Sequence, residues 1–598
     1  MAKSPVNSKV DLPSFTILVE GEEIKESYGV KSIYIEKAIN KISFAKVVLF
    51  DGDAAEENFD ISESADFEPG KSIKIKLGYH SSEEDAFEGV ITAQNIEVKS
   101  YSHKIISHLI ITGHDKAFKM TMARKSANFK DKKDSEVISS LINDYGLSKA
   151  VASSTYKHAN LIQYNCSDWD FMLSRADANG LVVINDAGKL DINKPKVSGS
   201  EVLNINYGTN VMDFHAEMDS RKQVDSVTFN SWDGTQLKLN KGVGTEPSTN
   251  SQGDITAKKL AETGDKQKID LSTSAPEDSS MLKEWANSHL LHARLSKIKG
   301  YVTFTGSTEV NPGKLIKLEG FGSRFNGTAY VSRVVHDLSN GFWKTEAGFG
   351  LDAKTFTDHG QISGPGALGL IPEISGIHIG KVKQIDTDPD GEYRVLVDVP
   401  VIKESGDGIW ARLSNIYASS DVGIYFYPEV NDEVILGFLN NDPRFGVILG
   451  SLYGKKNKPP FTPDDKNQNK AIVTKSKMKI TFDEEKKIIT IETPGGQKVT
   501  LDDDSKALNL EDQNDNSIKL DDSGIKLSSN KDISFKAKGK VSIDATGNIE
   551  ISSKGDVSTK GNNIKSKANI ALSAEGSASA ELKASGNVTV KGAMVMIN

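Results

Sequence analysis

From Phe15 to about Gly113 the apolar positions alternate or run in short blocks, FTILVEG, KSIYIEK, FAKVVLF, KSIKIKLGY and SHLIITG, separated by Gly, Asp and Glu. That period of two predicts a β-barrel or sandwich. Three segments switch to helical spacing: Asp134 to Tyr145 with Gly146 as its stop, Ser167 to Ala178 with Ser167 as N-cap and Gly180 as its stop, and Ser280 to Ser296. Trp169, Met172 and Leu173 are the expected buried face of the second. Strands return as YVTFTG, KLIKLEG, AYVSRVVHD and KTEAGFG, and the Gly-rich stretch Asp358 to Pro372 reads as a linker. Between Gly376 and Tyr453 six runs follow closely, GIHIGKVKQI, YRVLVDVP, GIWARLS, GIYFYP, DEVILGF and FGVILGS, which suits an OB-type barrel. A polar tether, Lys455 to Asn469, leads to a ladder of short strands: KITFD, IITIE, QKVTL, SIKLD and GIKLS.

Beyond the ladder, Val541 and Ile543, Ile549 and Ile551, Ile570 and Leu572, and Val588 and Val590 form pairs with one residue between, so each pair faces one side of a strand. Gly539, Gly547 and Gly555 are evenly spaced, and the spacing loosens through Gly561, Gly576, Gly586 and Gly592. No aromatic residue follows Phe535, so one chain cannot wrap these strands around a core of its own. Two further copies would turn every pair toward a shared axis. At roughly 1.5 to 3 kcal/mol per aliphatic side chain, one three-chain rung gains on the order of 10 kcal/mol, which the ordering entropy nearly cancels, so stability must come from stacking many rungs. The competing readings are a disordered polar tail, which has no reason to keep alternating Ile and Val, and a single-chain solenoid, whose rungs need longer sides.

The expected fold is therefore mainly β with some α: β-barrel domains with inserted helices over 1–360, a linker over 361–373, an OB-fold domain over 374–455, a second linker over 456–473, and a trimeric triple-stranded β-helix or prism needle over 474–598. Formal net charge is -9 with acidic and basic residues interleaved, which argues against a nucleic-acid partner. The single cysteine, Cys166, excludes an intrachain disulfide and fits a buried small hydrophobe in a reducing compartment. No apolar signal core or membrane-length run is found, so any export is expected to bypass the general secretory route.

Within the barrel segment, Trp410, Arg412, Pro428, Asp432, Glu433, Gly437, Phe438, Asp442, Pro443 and Gly450 form a series that resembles the VgrG family of type VI secretion spikes. Tyr164 to Phe171 and Gly327 to His336 resemble the family's hub helix and closing hub strands, and the final VKGAMVMIN is similar to spikes of extracellular contractile injection particles. The resemblance spans nearly the whole chain. It implies a homotrimer whose hub, with two similar β-barrels per protomer, docks on a hexameric tail tube and baseplate, carries effector cargo, and meets the target membrane when the sheath contracts. The tether between Tyr453 and Thr474 is too short for the lysozyme domain of the related phage spike. The ending also lacks the His-x-His iron site of some single-chain spikes. Ala593, Met594, Val595, Met596, Ile597 and Asn598 would instead form an apolar platform for a PAAR-repeat tip protein.

Other motifs have bland explanations. Gly364 to Gly369 matches G-x-G-x-x-G but precedes Pro372 instead of a helix. Asp386, Asp388 and Asp390 begin like a calcium loop, but Val397 stands where a bidentate Glu is needed, and a Pro-Asp-Gly turn explains them. His336 and Asp337 are adjacent on a strand and face opposite sides, so His336 is read as structural. Asp502 to Asp504 suits a solvated turn. No catalytic residues, cofactor or metal are expected, and the chain is not expected to be an enzyme. The alternative is a trimeric phage-tail or surface enzyme, or an adhesin, acting on envelope polysaccharide.

Overall fold

The computed structural model describes residues 3–5, 12–101, 104–233, 236–273, 275–360, 362–364, 366–402 and 407–597. The chain divides into two compact units, Met1–Tyr453 and Gly454–Asn598. It is mainly β with four short α-helices among the described residues.

A 13-stranded sheet dominates the first unit. Its first half contains β1 (Pro13–Val19), β2 (Val30–Ala38), β3 (Phe44–Phe50), β4 (Ser72–Tyr79), β5 (Ser82–Tyr101) and β6 (Lys104–His114). The second contains β7 (Leu203–Asn206), β8 (Val211–Met218), β9 (Ile298–Thr305), β10 (Leu315–Glu319), β11 (Gly327–Ser339) and β12 (Phe342–Phe349). A two-residue strand, Glu22–Glu23, completes the thirteen. The halves have one topology: β2-β3-β6-β5-β4-β1 in the first is matched by β8-β9-β12-β11-β10-β7 in the second.

Local details repeat as well. Gly70 N donates to Ile91 O and Gly313 N to Val331 O, both at 2.8 Å, while Ile91 N and Val331 N donate back to Lys71 O and Lys314 O at 2.8 and 2.9 Å. Both glycines have positive φ at the same corner, where a Cβ would be strained. A bulge sits between Ile91 and Ala93 in β5 and between Val331 and Arg333 in β11, and another between Val30 and Ser32 in β2 and between Val211 and Asp213 in β8. One departure is that β1 pairs β4 antiparallel whereas β7 pairs β10 in parallel.

The two halves are not separate closed barrels, which corrects the expectation of two barrels. Each keeps its own core, Ile33, Val47, Ile75 and Leu109 in the first and Val302, Phe304, Ile316 and Val331 in the second. Antiparallel pairing of β2 with β11, from Ser32 opposite Ser339 to Ala38 opposite Arg333, joins them into one sheet. Arg333 reaches across this seam to Glu36 at 3.0 Å and, within its own half, to Glu346 of β12 at 2.6 Å.

The helices form where their caps and spacing place them. Helix α1 (Asp134–Asn143) packs on α2 (Asp168–Ala178). Ser167 Oγ accepts the Asp170 N–H at 3.0 Å, and Trp169, Met172 and Leu173 are buried. Asp134, the first residue of α1, is buried and receives Arg175, Asn179 and His158 at 2.7, 2.8 and 3.1 Å, so its charge is paired. Helix α3 (Ser279–Leu295) buries Leu282, Leu290 and Leu295 and starts on the Asp278 carboxylate. Cys166 is buried, and burial raises its thiol pKa.

Five strands, β13 (His378–Gln384), β14 (Val395–Asp398), β15 (Ile409–Leu413), β16 (Glu433–Phe438) and β17 (Gly446–Ser451), close a small barrel around Val382, Val397, Ala411 and Leu436. The run GIYFYP is not one of them. Only Val422–Gly423 pairs, with Ala418–Ser419, because parallel pairing of β15 with β17 already closes the barrel.

His336 lies in the seam at 1% exposure, with Nδ1 at 3.0 Å from Thr345 Oγ1 and its ring against Trp343. Burial, with Lys37 adding in the same direction, lowers its pKa to about 3. The unfolded chain takes up that proton near pH ~6.5 while the folded chain refuses it, so stability is full above about pH 6.5 and is lost as pH falls toward about 3. Calorimetry should show the first unit's transition moving to lower temperature on going from about pH 7 to about pH 4.5, and His336→Gln should reduce that shift. An equally steep fall in the variant would sink the assignment.

Candidate functional site

The second unit begins as an antiparallel meander of seven five-residue strands: β18 (Asn469–Val473), β19 (Lys479–Asp483), β20 (Ile488–Glu492), β21 (Lys498–Asp502), β22 (Ala507–Glu511), β23 (Ser517–Asp521) and β24 (Gly524–Ser528). Register aligns two apolar rows across it. One passes through Ile472, Ile480, Ile491, Val499, Leu510, Ile518 and Leu527, the other through Phe482, Ile489, Leu501, Leu508, Leu520 and Ile525. Positions two apart in a strand share a face, so both rows lie on one side, with Thr481, Thr490, Thr500, Asn509 and Lys519 on the other. No second layer covers the rows among the described residues. Phe482, Leu501, Leu510 and Leu527 remain exposed, and a groove over Ile489, Leu501, Leu508 and Leu520 stays open.

From Ser529 onward the backbone is extended, unpaired with any strand among the described residues, and exposed. It bends at 530–531, 538–539, 546–547, 554–555, 562, 569–570, 577–578, 585–586 and 593, each bend ending seven or eight residues after the last. The irregular glycines disguise this regular period: Gly539, Gly547, Gly555 and Gly586 sit in bends, whereas Gly561 and Gly576 precede them. Two residues past the end of each bend comes an apolar position: Ile533, Val541, Ile549, Val557, Ile564, Leu572, Ala580, Val588 and Val595. Ile570 lies in a bend itself, which corrects its pairing with Leu572; the partner of Leu572 two residues on is Ala574.

Ala593 to Ile597 end the described chain, with Met594, Met596 and Ile597 strongly exposed; Asn598 lies outside the described residues. The barrel residues singled out in sequence occupy turns and strand ends. Pro428 is buried, and Asp432 accepts the Glu429 N–H at 2.9 Å. Asp442 accepts Arg444 through both carboxylate oxygens at 3.0 and 2.7 Å, and the Arg444 guanidinium holds its pKa below the usual range. Trp410 and Arg412 flank the inward Ala411 on β15, and Glu433, Gly437 and Phe438 lie along β16, next to Pro443 in the β16–β17 turn and Gly450 in β17. Near them Ile416, Tyr417, Ile424, Tyr425 and Phe426 are exposed.

The calcium-like loop is spent internally. Asp388 accepts backbone N–H groups of Asp390, Glu392 and Arg394 and takes the Arg394 guanidinium on both oxygens, which drives its pKa well down. Asp502 likewise accepts the Asp504 and Ser505 N–H groups in a turn. Gly364 N donates to Asn165 O, Pro365 lies outside the described residues, and Gly366–Gly369 is one short 3-10 turn, with no phosphate loop between strand and helix. Among the described residues, no three His, Cys, Asp or Glu gather where they could hold a metal ion, and no helix is long and apolar enough to cross a membrane.

Sequence reasoning missed two open strand edges in the first unit. Strand β5, the longest, pairs β4 only as far as Val90, so its outer edge from Ala93 to Lys99 has no strand partner among the described residues. Strand β8 pairs only β9. The repeated words Pro69-Gly70-Lys71-Ser72-Ile73-Lys74-Ile75 and Pro312-Gly313-Lys314-Leu315-Ile316-Lys317-Leu318 were the available signal of the duplication that leaves these edges open.

Residues 378–453 match the type VI secretion system/phage-baseplate injector OB domain. The actin cross-linking toxin VgrG1 of Vibrio cholerae is 32% identical over 102 residues, 15% of this chain and 9% of that protein. The type VI secretion system spike protein VgrG3 of Vibrio cholerae is 32% identical over 109 residues, 16% and 10% respectively. The chain thus spans about a tenth of the length of the curated relatives it matches. Among solved structures, the prophage MuSo2 43 kDa tail protein from Shewanella oneidensis aligns with 57% of this chain and 99% of its own, at 12% identity and a TM-score of 0.44. A tail protein from Neisseria meningitidis covers 58% and 98%, at 14% identity and 0.41. These are family-level likenesses to VgrG and phage-tail proteins. The Alg8 N-terminal domain family matches residues 9–340, more than half of the 598 residues, and the chain belongs to that family.

Proposed function

We propose that this chain is a structural, force-bearing spike that works as a homotrimer at the tip of the tail tube of a contractile injection system, either type VI secretion or an extracellular phage-tail-like particle. The observation that carries the reading is the pair of apolar rows on one side of the second unit, continued by the repeat of seven or eight residues. Thirteen apolar side chains in the meander alone lack cover, and finishing their burial contributes on the order of 10 kcal/mol per chain, counting about half of 1.5 to 3 kcal/mol for each. Three identical chains supply that cover by facing their rows to a common axis, as a prism over 469–528 and a triple-stranded β-helix beyond it. Backbone groups left unpaired in one chain then pair with its neighbours, and a needle with no free edge transmits axial load without fraying.

In this reading the duplicated sheet gives three chains six similar halves for docking on the tail tube and baseplate. The apolar ending Ala593 to Asn598 seats a PAAR-repeat tip protein, effectors ride as cargo, and the target membrane is met only during contraction. The chain is made in the cytoplasm and leaves as part of the particle. The work is mechanical, with no bond made or broken.

Light scattering should give three times 64.9 kDa for the full chain and a weaker association for a form ending at Tyr453. A stable monomer of the full chain would overturn the proposal.

Leu501→Asp places a charge in the apolar row of every copy and should lower the temperature of trimer dissociation by roughly 5 °C or more, while Thr500→Asp on the other face changes it by under about 2 °C. Equal effects at the two positions would mean that the rows do not face the axis.

Deleting Ala593 to Asn598 should leave the trimer mass unchanged and abolish capture of a PAAR-repeat protein in a binding assay. Undiminished capture would refute the tip assignment.

A further inference from the structure

The two halves of the 13-stranded sheet share a topology but not their neighbours. In the second half, β11 carries a partner along its outer edge: β2 of the first half, over Arg333–Ser339. The corresponding edge of β5 carries none, and β8, which corresponds to β2, has one open edge. Each half therefore uses one of its two edges inside the chain, and the unused edges are the complementary pair. An interface that repeats the internal seam joins unlike surfaces head to tail, which suits a closed ring of copies.

The shared bulges fix which residues correspond. Ile91 matches Val331, so Ala93 to Lys99 match Arg333 to Ser339. Ser32 matches Asp213, so Ser32 to Lys37 match Asp213 to Met218. Transferring the pairing of β11 with β2 onto the open edges gives one register.

Resting on the homotrimer reading, we propose that Gln94 to Lys99 of β5 pair antiparallel with Asp213 to Met218 of β8 in a second copy, with Lys99 opposite Asp213, Glu97 opposite His215 and Val98 opposite Phe214. Ile96 then faces Ala216, Asn95 faces Glu217, and Gln94 faces Met218.

Three observations converge on it. Ile96 and Val98 are 44% and 54% exposed, whereas the matching His336 and Leu338, sealed by β2, are 1% and 7% exposed. Leu338 packs into the core of the first half, and Val98 takes the same place against the second half of the neighbouring copy. The facing strands are complementary in this register: Val98 and Ile96 meet Phe214 and Ala216 on one face, while Lys99 and Glu97 meet Asp213 and His215 on the other. A slip of one residue sets apolar against charged positions. A slip of two sets Glu97 against Glu217 in one direction and against Asp213 in the other, which is repulsive.

The full chain with Cys166→Ala, Glu97→Cys and His215→Cys tests the register. Directly opposed Cα atoms lie about 4.5 to 5.5 Å apart, within disulfide reach. Mild oxidation should convert most of the protein to covalent dimers and trimers on non-reducing gels. The same chain with Lys99→Cys and Glu217→Cys, four positions out of register and roughly 13 Å apart, should stay uncrosslinked. Light scattering before oxidation separates the two levels of the argument. A trimer mass without crosslinks in the first variant overturns this seam and leaves the homotrimer standing. Equal crosslinking of both variants overturns the register. A monomer mass overturns the homotrimer and the seam with it.

Discussion

The need of every backbone amide and carbonyl for a partner is what the architecture turns on. In the first unit that need is met almost throughout by the 13-stranded sheet, the small closed barrel and the sheets around the helices. Beyond Ser529 no strand partner is present among the described residues, although the bends recur every seven or eight residues. A polar, glycine-containing chain does not hold regular bends and in-phase apolar positions for its own sake, because ordering each residue costs about 1 to 2 kcal/mol. Regular geometry without internal pairing is the observation on which the proposed homotrimer rests.

The same logic distinguishes the sheet's two kinds of edge. Where β2 meets β11, buried His336, Leu338 and the Arg333 ion pairs show what a finished seam contains: apolar contact on one face and compensated charge on the other. The open edges of β5 and β8 carry the same division of apolar and charged positions with no strand opposite. An exposed strand with Ile96 and Val98 on it is a hazard to a monomer and an asset to an assembly. Duplication within one chain thus supplies both the template for a seam and the pieces for another.

Much of this was legible in residues. The helix boundaries followed from Ser167, Gly146 and Gly180, since caps and positive-φ stops act locally. The five strands of the barrel and five of the seven in the meander followed from alternation, whereas β18 falls inside the expected 456–473 linker and β22 lies outside the expected ladder. Other features were hidden for identifiable reasons. Strand β5 has Glu83, Glu84, Asp85 and Glu88 among its paired residues, so its alternation is masked by charge. GIYFYP has strand composition but no edge left to join, a fact of barrel closure that no local pattern carries. The period of seven or eight residues was obscured because Asn562, Asn569 and Ser577 stand at or beside bends in place of glycine. The ending is legible as apolar, but what it meets is a property of another molecule.

The barrel residues show why a family motif and a working surface need not coincide. Asp432 and Asp442 are occupied by backbone N–H groups and by Arg444, and Pro428 is buried, so these positions hold turns in shape. Changing them would unmake the barrel without touching a ligand. Tyr425 and Phe426, by contrast, are exposed, and the Tyr425 ring meets that of Tyr427, which packs on the barrel core. Under the proposed mechanical reading, the residues easiest to recognise are those that keep the shape, and contact falls to the plain apolar ones between them. The rows through Leu501 and Leu510 carry no motif at all, only a period, and the proposed function rests on that period.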